Sequence, residues 1–324
     1  MQLGLAFTLP AHALTIKATF DSSITSLSAA PQIEAAFNAA ASIFQNAFTD
    51  PVTVNIPVSC GKVNGQTIGS GLLGASWVPW NSGYTQSQVK SYLKAAATTA
   101  NDITAVNNFP TVSPAGNSFD IPRAEAKALG LLSSASTASD GYIGFGYTPS
   151  SFTFNDSAGV VSGTYDFIGV AAHEIEEVLG RISTLNSTSP SGATIFDLFR
   201  YGAAGNPNFS RTAASYFSID GGVTNLDPFN ISGGGDRSDW SSVAGTATDA
   251  QLSYLTSGTK FTISTSDLVA LDILGWDSRS LTTPSPGSTG GGLSAATVAE
   301  PPSLVLLGTT LLGVALLGRR ARRI

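Results

Sequence analysis

In the stretch Ala171-Ala172-His173-Glu174-Ile175-Glu176-Glu177-Val178-Leu179-Gly180-Arg181, an imidazole and a carboxylate stand four residues apart, with a second carboxylate directly after the imidazole. On a helix, positions i and i+4 lie one above the other. His173 and Glu177 can therefore offer two donors to one metal ion, at about 2.0–2.2 Å each. Glu174 points roughly a hundred degrees away around the axis, beside such an ion. A metal lowers the pKa of a water that it polarises. A carboxylate in Glu174's place can take that water's proton as it attacks a carbonyl and return it to the leaving amine. The chemistry suggested is metal-assisted hydrolysis of a peptide bond. The plainer alternative is a structural histidine, with Glu177 paired to Arg181 for about 0.3–0.5 kcal/mol and Glu176 a solvated surface charge.

The elements that must position this stretch can be read from periodicity. Phe167, Ala171, Ile175, Val178 and Ile182 form one apolar stripe, so the motif lies on a helix from about Asp166 to Arg181, which Gly180 ends or loosens. Leu14 to Phe20 alternates as a strand. Apolar positions from Ile33 through Phe37, Ala40, Phe44 and Phe48 mark an amphipathic helix over 30–48. Val52, Val54, Ile56 and Val58 alternate as a second strand, Leu72 to Val78 forms a third, and Gly141 to Tyr147 is a glycine-spaced strand. Thr85 and Gln88 stand at capping-box spacing before a helix over 85–99. A short helix is expected at about 121–131 and a closing helix at 267–276. The resulting class is α+β: a twisted mixed sheet with a motif-bearing helix.

Composition narrows the function. The chain has 324 residues, 12% of them charged, and a net charge of −6. Arg319, Arg320, Arg322 and Arg323 sit at the very end, so the remainder is more acidic still, which disfavours nucleic acid as a partner. The single cysteine, Cys60, rules out an internal disulfide and a cysteine-built metal site, and reads as a buried small hydrophobe.

Both ends read as addresses. Residues 1–13, with Leu3 to Leu9 apolar and a small-x-small Ala11-His12-Ala13, read as the remnant of a signal peptide. Residues 278–298 form a Ser/Thr/Pro/Gly-rich linker. Ala299-Glu300-Pro301-Pro302, an apolar run from Leu304 to Gly318 and the basic end follow. This order resembles the PEP-CTERM sorting signal, with Ala299 where the first proline is expected. The resemblance implies an apolar tail helix that anchors the chain transiently in a membrane, an exosortase-type sorting enzyme as partner, and export to the cell surface or extracellular matrix. An ordinary single-pass anchor also places the body outside.

The motif itself resembles that of the zincin metallopeptidases, His-Glu-x-x-His. It matches the first histidine, the glutamate and the later glycine, with Glu177 in place of the second histidine and Ser183 where an extended motif has its third ligand. The resemblance implies a zincin-like domain over 14–277, a Zn2+ ion or another divalent cation, Glu174 as general base, and a protein or peptide as substrate. With only two histidines in the chain, the site must be one histidine plus carboxylates. Gly192-Ala193-Thr194-Ile195-Phe196-Asp197-Leu198-Phe199-Arg200-Tyr201-Gly202 is loosely similar to the aspzincin element, which implies Asp197 as third ligand and Tyr201 as oxyanion stabiliser. Asp220, Asp236 and Asp239 are the fallback ligands, and the loop carrying the last two reads equally as a hydrogen-bonded turn or a calcium site. Two other functions remain open: a catalytically inactive zincin-like surface protein that binds matrix polysaccharide or protein, and a structural adhesin.

Overall fold

The computed structural model describes residues 14–112, 118–146, 148–186, 192–232, 235–242 and 248–279. The expected signal remnant over 1–13, the linker from 280 onward and the tail over 299–324 lie outside the described residues. Among those described, no helix is long and apolar enough to cross a membrane.

The chain is mixed α+β. The first strand, β1 (Thr15–Phe20), leads through a single turn, α1 (Ser22–Thr25), into α2 (Ala30–Ala47), and then β2 (Thr53–Cys60). A short hairpin, β3 (Lys62–Val63) and β4 (Gln66–Thr67), precedes β5 (Gly74–Trp77) and β6 (Trp80–Tyr84). Helices α3 (Gln86–Ala96) and α4 (Ala100–Asn107), β7 (Phe119–Pro122), α5 (Arg123–Ala128) and β8 (Tyr142–Phe145) follow. Two short strands, β9 (Phe152–Thr153) and β10 (Tyr165–Asp166), lead into α6 (Phe167–Leu179), the motif helix. Beyond it come β11 (Arg200–Ala203), β12 (Asn206–Pro207), β13 (Tyr216–Phe217), β14 (Asp227–Pro228) and α7 (Thr265–Asp272).

The main sheet has the order β1-β2-β8-β5. β1, β2 and β8 are parallel, while β5 runs antiparallel to β8 with Ser76 opposite Ile143. β5 is therefore an edge strand of opposite direction, and it packs on α6. The alternation in β2 does what its pattern predicts: Val54, Ile56 and Val58 are buried while the residues between them are half-buried. The stripe on α2 buries Ile33, Phe37, Ala40 and Phe44 against α6 and the sheet. Rings bridge these layers, with Phe37 6.3 Å from Phe145 and Phe145 4.3 Å from Phe167. Each such fully buried aromatic contributes about 1.5–3 kcal/mol from area alone, so α6 is held as a fixed platform.

Local rules set the helix ends. Thr85 and Gln88 form the expected capping box on α3, and Ser264 and Asp267 form another on α7. Cys60 is buried in β2. The four-stranded sheet β12-β11-β13-β14 and the β6–β7 pair fall where no strand was expected from periodicity. Three of these six strands are two residues long, too short to carry a pattern.

Candidate metal centre

Asp166 caps α6, its side chain accepting from the Ile168 N–H at 3.0 Å, while its second oxygen accepts from the Phe261 N–H at 2.9 Å. Gly180 ends the helix at φ 128°, a conformation that side-chain-bearing residues rarely adopt. The stripe Phe167, Ala171, Ile175 and Val178 is buried as expected, yet so is nearly every other residue of the helix. Residues from both halves of the chain cover α6: β5 and α2 on one side, and segments around Trp240, Ala250 and Gln251 on the other.

That enclosure corrects two expectations. Glu176 is not a solvated charge but fully buried. It faces Arg181, whose Nε lies 3.5 Å from Glu176 Oε2, so the arginine pairs with Glu176 rather than with Glu177. The guanidinium also bonds Gln251 and lies 4.1 Å from the Trp240 ring centre, a stacked cation–π arrangement.

His173, Glu177 and Asp239 come together, each with a ligand atom within 4.8 Å of the others. His173 Nε2 lies 3.9 Å from Glu177 Oε1 and 3.8 Å from Asp239 Oδ1. Both separations are too long for hydrogen bonds. Two donors that share one ion at about 2.0–2.2 Å each are at most about 4.4 Å apart, so both are compatible with a shared cation.

The rest of the imidazole points the same way. His173 Nδ1 is 2.8 Å from the Ala250 carbonyl, which can only accept, so Nδ1 carries a proton and Nε2 is the ring nitrogen that faces the two carboxylates. This is the orientation a metal ligand requires, held by an outer partner. Glu177 is held likewise, its Oε2 accepting from the Ser76 hydroxyl of β5 at 2.7 Å. Asp239 Oδ2 accepts from the Asp236 N–H at 2.9 Å, while its Oδ1, the atom facing His173, is buried with no hydrogen-bond partner. Burial, offset by the neighbouring imidazole, pushes the Asp239 carboxyl up to about 7. The donor set and the orphaned oxygen fit a buried divalent cation.

Glu174 stands beside this group. Its Oε1 is buried without a partner, and burial together with the charge of Glu177 holds its carboxyl well above the usual range. Room for it comes from Gly74 of β5, where a Cβ would sit 2.5 Å from Glu174 Oε1. Asp236 is also buried, with Oδ2 unpartnered.

The remaining sequence-derived candidates lie elsewhere. Asp197 is not in the group. Its carboxylate is occupied by donors from Ser183 at 2.5 Å, from Thr184 and from the Thr194 N–H, so it ties the loop after α6 to the segment before β11. Tyr201 is buried in β11 with its ring against Gly222, and the neighbouring charge acting on its hydroxyl is that of Asp220. Asp220 holds a turn through Ser218 and Thr224. Of the fallback residues, Asp239 is the one that completes the triad. The loop that bears it is also the hydrogen-bonded turn its sequence suggested, with the Asp239 N–H donating to the Asp236 carbonyl at 3.3 Å. Ser76, Gly74 and the Ala250 carbonyl had no sequence signal. Comparison of the chain with protein-family models, with curated proteins and with solved structures gives no match.

Proposed function

We propose that this chain is an exported metal-dependent peptidase with a zincin-like catalytic arrangement, hydrolysing peptide bonds in protein or peptide substrates. The observation that carries the reading is the meeting of His173 Nε2, Glu177 and Asp239 beside Glu174, whose Oε1 has no hydrogen-bond partner. A mixed sheet packed on the motif helix supports that reading.

A divalent cation on these three residues, zinc first among the candidates, supplies Lewis acidity to the site. The protein's own groups do the rest. The Ala250 carbonyl holds Nδ1 of His173, so that Nε2 is the ring nitrogen aimed at the carboxylates. Ser76 fixes Glu177. Glu174 accepts a proton from the attacking water and delivers it to the departing amine, and burial together with the acidic groups around it raises its basicity well above that of an ordinary carboxylate. Export rests on the two chain ends, with the sorting enzyme and membrane as transient partners.

Glu174→Gln preserves the shape of the side chain and removes the base. Peptidase activity on a denatured protein substrate should fall by about 10²–10⁴-fold, with metal content unchanged. Activity that survives this substitution overturns the reading. A second reading, a metal-binding surface protein without catalysis, is favoured by how closed the centre is: His173 is 2% exposed and Glu177 4%. Inactivity of the wild type with every divalent ion tested would select it.

A further inference from the structure

We propose that Gln251 is a positioning residue of the metal centre: its side-chain amide holds the backbone of His173 while the carbonyl just before it in the chain holds the imidazole, so that one short segment sets where this ligand stands. The inference rests on the metal-centre reading above.

Four bonds define Gln251, which is fully buried. Its Nε2 donates to the His173 carbonyl at 3.1 Å, and its Oε1 accepts from Arg181 Nη1. Its own N–H donates to Asp249 Oδ1 at 2.7 Å, and its carbonyl accepts from the Trp240 N–H at 2.8 Å. The preceding residue, Ala250, meets His173 Nδ1 at 2.8 Å. Trp240 directly follows Asp239 in the chain. Residues 250 and 251 therefore reach the frame of two of the three ligands: His173 at both backbone and ring, and Asp239 through its neighbour. The third ligand, Glu177, is held from β5 by Ser76.

The position calls for an amide. A carbonyl only accepts and a guanidinium only donates, so the group between them must donate at one atom and accept at the other. The two partners also fix which end is which, with the oxygen towards Arg181 and the nitrogen towards His173. Along a helix the carbonyl of residue 173 also faces the N–H of residue 177, and its two lone pairs leave room for both donors. The amide thus docks on the turn that joins the two helical ligands. Methionine in its place keeps the length of the side chain and makes neither bond.

A buried amide that only knits the core contributes stability and nothing to the metal. Asn101 is an amide of that kind, buried and donating to Asp272 Oδ2 at 3.0 Å between α4 and the end of α7. It gives the comparison that separates positioning from general support.

The experiment is titration of the metal-stripped full chain with CoCl2, followed by visible absorption, for wild type, Gln251→Met and Asn101→Ala, each well below its melting temperature. The visible bands of Co2+ report the geometry of its ligands, which loss of general stability leaves alone. The expected result is one ion per wild-type chain, a loss of affinity of about 10–100-fold in Gln251→Met with altered bands, and wild-type affinity and bands in Asn101→Ala despite a lower melting temperature. Wild-type affinity and bands in Gln251→Met, or an equal loss in Asn101→Ala, overturn the role of Gln251 and leave the metal centre standing. A wild type that binds no Co2+ overturns the centre itself. If Gln251→Met does not fold, Gln251→Asn serves instead: it keeps the amide on an arm too short to reach both partners, so reduced affinity with altered bands supports positioning, and wild-type behaviour opposes it.

Discussion

Two buried acidic sites in this molecule are built in opposite ways. Asp140, fully enclosed behind β2, receives Lys127 Nζ at 2.6 Å and the Asn55 N–H at 2.8 Å, with Arg123 Nε 3.3 Å from its other oxygen. Its countercharge is part of the chain. Around His173, the carboxylates of Glu174, Glu177, Asp236 and Asp239 crowd together, and Asp236 Oδ2, Asp239 Oδ1 and Glu174 Oε1 have no partner. The first site holds its countercharges within the chain, although Asp140 Oδ1 makes no hydrogen bond and meets Arg123 only as an ion pair. The second gathers four carboxyl groups with no lysine or arginine in ion-pair distance among the described residues, and this is why it reads as a place for a cation. Burial alone does not distinguish the two, because both are shut away from water; the difference lies in whether a counterion came with the fold.

Breaking the self-sufficient site should give the largest effect. Lys127→Ala leaves Asp140 as a buried anion, and the expected loss is about 3–5 kcal/mol in denaturant unfolding. A loss under about 1 kcal/mol would show that Arg123 alone suffices, since exposed ion pairs are worth that little.

The incomplete site should respond to what is added. A divalent cation at about a hundred times its dissociation constant should stabilise the protein by about 2.7 kcal/mol, read as a rise in melting temperature that EDTA reverses. His173→Ala should abolish the rise, while the same ion should leave the region of Asp140 unaffected. A melting temperature indifferent to every divalent ion would erase the contrast between the two regions.

A third buried carboxylate sharpens the comparison, because it has neither an internal countercharge nor a metal-ligand neighbour. Glu125 of α5 lies against Gly180 at the end of α6, with both oxygens unpartnered, and burial raises its carboxyl well above the usual range. A raised value means that the folded state favours the protonated form. Its contribution to stability is therefore intact below the unfolded value of about 4.3 and is lost as pH climbs towards the folded one. Glu125→Gln should gain about 1–3 kcal/mol at pH 7, and the gain should vanish near pH 4. A variant less stable than wild type at pH 7 would mean that the ionised carboxylate has a function in the fold.

Much of the local architecture was legible in the residues. The alternation in β2, the stripe on α2, the capping box before α3 and the span of α6 all appear close to where their patterns put them, because each is settled by neighbours within a few positions. The short strands β11 to β14 were not legible, since two-residue pairings carry no period. Glu176 misled for a related reason. A charge between apolar positions reads as surface, and nothing nearby in sequence announces that Arg181 and Trp240 will enclose it.

The sequence by itself determined that an imidazole, a base-like carboxylate and a second carboxylate share one helix, since a period of 3.6 residues puts i and i+4 on one face wherever that helix goes. Tertiary structure decided the rest of the centre. Asp197 was the expected third ligand and Asp239 one of three fallbacks. Asp197 became a hydrogen-bonded tie for the chain after α6, and Asp239 was carried to His173. The Ser76 hydroxyl that holds Glu177 lies 101 residues away, and the Ala250 carbonyl that orients His173 lies 77 away. Such convergence depends on how sheet, helix and loops pack against one another, and no spacing along the chain encodes it.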